Sequence, residues 1–383
     1  MHRLIETSGQ KWEEEIVKEI SRNRKYFFLG DNIDFTIKPR RTRIGYGNVS
    51  YHWFASTIVF ARIDDPLLDD TKPRGSVLDV SNKIFFHKEE EIQTLKQHFK
   101  QHLINILSTY IPDFKKVFNS FSGPIGHQFQ EETKKKSTMF TLPVIFKSEK
   151  TAKEMQEILD ILTTTTAKLD PTFINKKILV FSDQLTEARI NTAKILSSKT
   201  RIPELRLHHF QAIISDFHAC MNFGDAIYKV LGSNKLVRIP GTLANLKVFL
   251  SRKNVKPKVP DCYYDFEDFL FTCIFAYILE IHEFVLGTSK YPSFNSSSDV
   301  KKMWLDEHLG KIIDTYIDVG FTETPMEKTF DDDLLKYSSN LLSCGLFLYN
   351  FRDAIHQGDG ERIHNNWKYL IGVFSALKRK NYR

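Results

Sequence analysis

Cysteine is scarce: the 383 residues hold four, at positions 220, 262, 273 and 344, and no two form a C-x-x-C pair. That spacing speaks against a zinc module and gives no support for a secreted disulfide scaffold. The opening MHRLIETSGQKWEEE has none of the apolar run of a secretory signal. The longest apolar stretch, Phe269 to Leu279, falls short of the roughly 18–20 residues that cross a bilayer, and acids flank it. No internal similarity recurs at solenoid spacing. These absences lead to the expectation of an intracellular protein in a reducing compartment, nuclear or otherwise, with no membrane partner.

What is present is ordinary globular material. Hydrophobic residues make up 42% and charged residues 26%, with 31 phenylalanines to supply a core. At roughly 100–200 residues per domain, the length implies two or three units. Lys and Arg total 54 against 47 Asp and Glu, a formal charge of +7. That is a mild lean toward a polyanionic partner, and the clustering of charge matters more than its sum.

Along the chain, Trp12, Ile16 and Ile20 lie on one face of an amphipathic first helix. Strands follow: KYFFLG (25–30), ending in the turn-forming pair Asp31-Asn32, and the aromatic and β-branched run YHWFASTIVFARI (51–63). Between them IKPRRTRIGYG reads as the basic turn of a long hairpin. Apolar residues spaced by three and four predict a helix from Glu89 to Tyr110, closed by Pro112. Residues 120–137 read as loop, followed by a strand (139–146) and a helix (151–163). Next, KKILVFSDQLT is a strand, an acid and a helix from about Leu185 to Ser198; RLHHFQAIIS is another strand or a helix approach. From Phe217 onward the pattern is almost entirely helical. It includes a buried helix (266–286), a polar loop (287–299) and two closing helices. The alternation in the first half and the helices in the second predict an α/β core with a helical insertion or extension. The expected division is an N-terminal helix (1–22), the α/β core (23–230), a helical insertion (231–350) and closing helices of the core (351–383).

Two acids directly follow apolar strands, Asp31 after YFFLG and Asp183 after ILVFS. Open α/β sheets bind ligands outside the carboxyl ends of their strands. Two carboxylates there, on adjacent strands, could share Mg²⁺ and support phosphodiester chemistry with two ions. Each acid also has a plainer reading: Asp31-Asn32 as a turn, and Asp183 as the cap of the helix it precedes.

Five blocks in order, GDNIDF (30–35), KILVFSDQLT (177–186), DFHACMN (216–222), GTLANLKVFLSRKNV (241–255) and FRDAIHQGDGERI (351–363), resemble a eukaryotic family of unknown function found in transposon-derived proteins. The resemblance spans about residues 25–383. It implies a transposase-like protein with a ribonuclease-H-like core, one metal-binding aspartate on the first strand, a second after the fourth, and a third acid from a late helix. Asp31 and Asp183 match the first two places. For the third, Asp353, Asp359 and Glu361 lie in the late block, and Asp359 is the choice, against its reading as a turn residue between helices. Glu280 and Glu283 are weaker candidates on a helix already explained as core. The ancestral chemistry implied is Mg²⁺-dependent DNA cleavage and strand transfer.

Two departures from the family pattern bear on this. Ser182 stands where glycine is usual before D-Q-L-T, and the sequence ends at Arg383 where similar proteins continue with another acid-bearing helix. On that reading the copy is degenerate. Asp216 and His218 loosely resemble a pair found in related transposases, but His208, His209 and Cys220 add no recognised zinc spacing, so a structural contact is the expectation. Lys38, Arg40, Arg41 and Arg43 sit just after the first acid block, where they could neutralise DNA phosphates at the mouth of a site, or simply be a solvated turn. Lys134-Lys135-Lys136 and the tail LKRKNYR read as solvated charge. The leading expectation is a transposase-like protein that binds DNA; the alternative is a domesticated, non-catalytic DNA-binding or protein-interaction module. A scaffold unrelated to nucleic acid stays open because +7 is modest.

Overall fold

The structure, a computed structural model, describes residues 2–41, 47–63, 75–76, 79–317 and 332–376. In chain order its elements are α1 (His2–Ser21), β1 (Tyr26–Ile37), β2 (Val49–Phe60), α2 (Glu89–Tyr110), α3 (Pro112–Phe118), α4 (Gln130–Thr133), β3 (Thr138–Thr141), α5 (Ala152–Leu169), β4 (Ile178–Ser182), α6 (Gln184–Ser197), β5 (Phe210–Ile214), α7 (Asp216–Leu231), α8 (Leu243–Phe249), α9 (Tyr263–Leu286), α10 (Ser298–Tyr316), α11 (Asp333–Gln357) and α12 (Gly360–Ala376). The chain is a mixed α/β protein, and it divides into two compact units, Met1–Val77 with Glu131–His218 and Leu78–Gln130 with Ala219–Arg383.

The first unit holds one five-stranded mixed sheet in the order β3-β2-β1-β4-β5. The first three strands pair antiparallel, whereas β4 runs parallel to β1, and β5 parallel to β4. Side chains alternate between sheet faces, and one face carries Phe28, Ile58, Phe60, Val180 and Phe210. These pack with Met155, Ile158 and Leu162 of α5, Ile190 of α6 and Ile16 of α1 into one buried cluster. Gly30 is required by that packing: a Cβ there would lie 2.5 Å from the ring of Phe54.

Strand β1 does not end at Asp31-Asn32, as the turn-forming pair predicts. It continues to Ile37, paired residue for residue with β2 from Tyr26↔Phe60 to Ile37↔Val49. Cross-strand contacts override the local preference here: Phe35 stacks on Tyr51 with ring centres 5.1 Å apart. The helix read over 151–163 runs on to Leu169, because Leu162, Thr166 and Leu169 keep its buried face going. Thr151 caps its start, its hydroxyl accepting the Glu154 N–H. The ambiguous RLHHFQAIIS run forms β5.

The second unit is helical. Helix α2 buries Ile92, Leu95, Phe99, Leu103 and Ile106, the face its spacing marks out. Pro112 opens α3 at a position where its missing N–H costs nothing. The segment Val259–Leu286, which contains α9, is by length and mean hydropathy long and apolar enough to cross a membrane, contrary to the count from its uninterrupted run. Within the unit α9 buries Phe266, Phe269, Leu270, Ile274 and Ile278. Ile274 lies so close to Gly345 of α11 that a Cβ there would meet it at 2.4 Å.

Candidate functional site

In the first unit β1 and β4 are parallel neighbours, with Phe28 beside Val180 and Leu29 beside Phe181. Carrying that register on by two residues brings Asp31 level with Asp183, and strand alternation assigns both to one sheet face. On that face Phe27 and Phe181 meet edge to face at 5.1 Å. Strand β5 ends at the same level: Ile214 pairs with Ser182, and the Ser215 N–H donates to the Ser182 carbonyl at 2.9 Å. Asp216 and His218, in the first turn of α7, therefore follow the same edge.

Asp183 does the capping work that its position suggests. Its Oδ1 accepts the Thr186 N–H at 2.7 Å, which satisfies one of the unpaired donors of α6. Asp31 Oδ1 accepts the Asn32 N–H at 2.8 Å. The Asp31 residue is exposed as a whole, yet crowding by protein desolvates its carboxyl and raises its pKa. The Asn32 N–H and the His218 charge oppose the rise, and the charges of Asp183 and Asp34 add to it.

Glu149 is an acid that sequence reasoning did not single out. It lies in the loop between β3 and α5, 2% exposed, and accepts a hydrogen bond from the Thr186 hydroxyl through Oε2. Its Oε1 is buried with no hydrogen-bond partner among the described residues. Burial pushes its pKa up to about 7 against the Thr186 bond, and the charges of Asp183, Asp31 and Asp34 add to the shift. That mutual influence ties Glu149 to the strand-end acids. On the following residue, Lys150 Nζ donates to His52 Nε2 at 2.8 Å, and His52 Nδ1 meets Asp34 Oδ1 at 2.5 Å. No motif in FKSEK marked Glu149; only the path of the chain reveals it.

Asp359 belongs to the second unit. Its Oδ1 accepts the Arg362 N–H at 3.1 Å at the start of α12, and its Oδ2 pairs with Arg362 Nε at 3.1 Å. Arg362 Nη1 reaches Asp353 Oδ2 at 2.6 Å. Gly358, at φ +71°, ends α11 in the left-handed conformation that glycine adopts readily and lets the chain reverse between the two acids. The D-A-I-x-x-G-D-x-x-R block thus forms an Asp353–Arg362–Asp359 lock on the α11–α12 hairpin, with Arg362 and Asp359 buried and Asp353 half-buried. Glu361 is exposed. Cys220 is buried, and His218 is half-buried.

Lys38, Arg40 and Arg41 are exposed where β1 leaves the sheet, and Arg43 lies outside the described residues, as does the LKRKNYR tail. Lys134, Lys135 and Lys136 are exposed, as solvated charge would be.

Among the described residues, no group of three or more His, Cys, Asp or Glu is arranged to hold a metal ion. Mg²⁺ does not demand such a cage, since it commonly binds one or two carboxylates with waters and substrate phosphates. The Asp31 and Asp183 carboxylates, whose charges reach Glu149, offer oxygen donors of the right chemistry for that cation.

Residues 79–383 match the family of unknown function DUF6589, and the chain belongs to that family. The match begins after Asp31 and the β1–β2 hairpin, so it covers less than the resemblance read over 25–383. Neither the curated proteins nor the solved structures contain a match.

Proposed function

We propose that the first unit is a ribonuclease-H-like domain of a transposon-derived, transposase-like protein, whose ancestral chemistry is divalent-cation-dependent cleavage of DNA phosphodiesters. The observation that carries this reading is the sheet. Its order is β3-β2-β1-β4-β5, with three antiparallel strands followed by two parallel to the first. Asp31 on the first strand stands level with Asp183 after the fourth, the two places that the family resemblance assigns to metal-binding aspartates.

Asp31 and Asp183 would hold Mg²⁺, which when bound supplies an activated oxygen nucleophile and neutralises charge on the leaving oxygen. The carboxylates themselves orient that charge, and the apolar side chains of Phe27 and Phe181 on the same face restrict water around it. Asp359 stays with Arg362 in this reading, since withdrawing it would leave a guanidinium that is 1% exposed with one of its two acidic partners.

One observation favours the second reading, a non-catalytic DNA-binding relic: the Asp183 carboxylate already has a structural task, its Oδ1 accepting the Thr186 N–H at 2.7 Å as the cap of α6. A nicking assay on supercoiled DNA separates the two. The catalytic reading expects Mg²⁺-dependent nicking that both Asp31→Asn and Asp183→Asn abolish. Stability should barely change in Asp183→Asn, because asparagine caps helices as well as aspartate, whereas Asp183→Ala should lose about 1 kcal/mol. Salt-sensitive DNA binding without nicking by the wild-type protein would overturn the catalytic reading and support the relic.

A further inference from the structure

Beyond the level of Asp31 the hairpin of β1 and β2 goes on as a two-stranded ribbon. The residue pairs Ile33↔Trp53, Phe35↔Tyr51 and Ile37↔Val49 lie on the same face as Asp31, because directly opposed residues share a face and the side-chain period is two. Aromatic rings tile that face. Phe35 stacks on Tyr51 at 5.1 Å with planes 19° apart and meets Trp53 edge-on at 4.8 Å; Trp53 in turn meets Phe146 at 4.7 Å. The rings remain open to solvent, with Phe35 36% and Phe146 70% exposed. Apolar surface of this kind, continuous over several residues, is what binding sites leave uncovered.

Charge says what covers it. Lys38, Arg40 and Arg41 follow Ile37 directly at the end of the ribbon, all exposed. None of them has an acidic partner within ion-pair distance among the described residues. Rings in a row beside unpaired cations match a strand that offers flat bases and phosphates alternately. A base presents its face to a side chain only when it is unpaired, and such stacking tolerates any sequence. A second copy of this chain would bring the same three cations against its own kind, and a duplex would keep its bases stacked inside.

We infer that the aromatic face of the β1–β2 ribbon binds single-stranded DNA, its bases stacked on Phe35, Tyr51, Trp53 and Phe146 and its phosphates on Lys38, Arg40 and Arg41. The inference rests on the DNA reading above and names its substrate subsite: an unpaired strand led along β1 to Asp31. Phe35 lies four residue steps along β1 from Asp31, about 13 Å of strand, so a strand on the ladder passes the carboxylates without a turn.

The test is fluorescence anisotropy of a labelled oligothymidine strand with the full chain in EDTA, so that binding is read apart from cleavage. Tight binding of the single strand and weaker binding of a blunt duplex are expected. Tyr51→Ser combined with Phe35→Ser should weaken single-strand binding at least about tenfold, the loss typical of one or two stacked bases. Tyr51→Phe, which keeps the ring, should bind as wild type and guards against simple unfolding of the ribbon. Replacing Lys38, Arg40 and Arg41 with alanine should flatten the salt dependence. Unchanged single-strand affinity in the serine double variant, with wild-type circular dichroism, would overturn the inference. So would equal affinity for the duplex, or a dimer that the serine variant dissociates. Ladder-dependent binding without any nicking would leave the inference standing while overturning the catalytic reading, and nicking with ladder-independent binding would do the reverse.

Discussion

Replacing Glu149 with glutamine should make the protein more stable, and increasingly so as pH rises. In the folded chain Glu149 is 2% exposed, and burial raises its pKa to about 7 from the 4.5 of a free glutamate. Below pH 4.5 the side chain is protonated in both folded and unfolded chains and carries no penalty. Between 4.5 and 7 the unfolded chain releases this proton while the folded chain retains it, so folded stability falls as pH climbs. Above 7 both states are ionised and the penalty levels off. Two and a half pH units correspond to roughly 3 kcal/mol, an upper figure because solvent relaxation softens buried charge. Glutamine has nearly the same shape, does not titrate, and its carbonyl oxygen can still accept the Thr186 hydroxyl. Urea denaturation of both proteins in EDTA, followed by circular dichroism from pH 4.5 to 8, reads the difference directly. The gap should widen through pH 5–7 by up to about 3 kcal/mol and then stay constant. Parallel stability curves for the two proteins would show that Glu149 is not held neutral by its surroundings, and its tie to Asp31 and Asp183 would fall.

Two further substitutions test the packing around the site and the lock in the second unit. Gly30→Ala drives a methyl group into the Phe54 ring, and should cost about 1–3 kcal/mol in urea denaturation, the usual range for overpacking; a neutral result would mean that Phe54 swings aside freely. Arg362→Ala strands the buried Asp359 and the half-buried Asp353, and should lose roughly 3 kcal/mol or more, read as a lowered thermal midpoint. Adding Asp359→Asn to that variant should recover part of the loss by removing the orphaned charge, and no recovery would refute the lock.

Much of this architecture was legible from local pattern. The three-and-four spacing of Ile92, Leu95, Phe99, Leu103 and Ile106 defined α2, because a helix brings those positions to one face wherever it packs. ILVFS-Asp183-QLT told of a strand, a cap and a helix, since an aspartate before an amphipathic run has a local job that needs no distant partner. The acid at 183 was found for that reason, and Asp31 because an apolar run led up to it. The end of β1 was misread for the same reason in reverse: Asp31-Asn32 prefers a turn in isolation, and only the pairing with β2 keeps those residues extended.

What lay beyond the sequence was every relation between distant segments. The order β3-β2-β1-β4-β5 puts Asp31 level with Asp183, 152 positions further along the sequence. Nothing in either segment encodes that, because register depends on which strand the helix α5 returns the chain beside. Glu149 sits in FKSEK, a stretch any solvent-facing loop could contain, and its burial follows from where Thr186 and the strand-end acids lie. The D-x-x-R spacing of Asp359 and Arg362 allowed a one-turn pair, but the addition of Asp353 across the Gly358 reversal required the hairpin to close. Local free energies of a kcal/mol or less select helix, strand and cap from neighbouring residues alone. Burial and the charge of distant neighbours exist only once the chain is folded, and they decide which of those acids face one another.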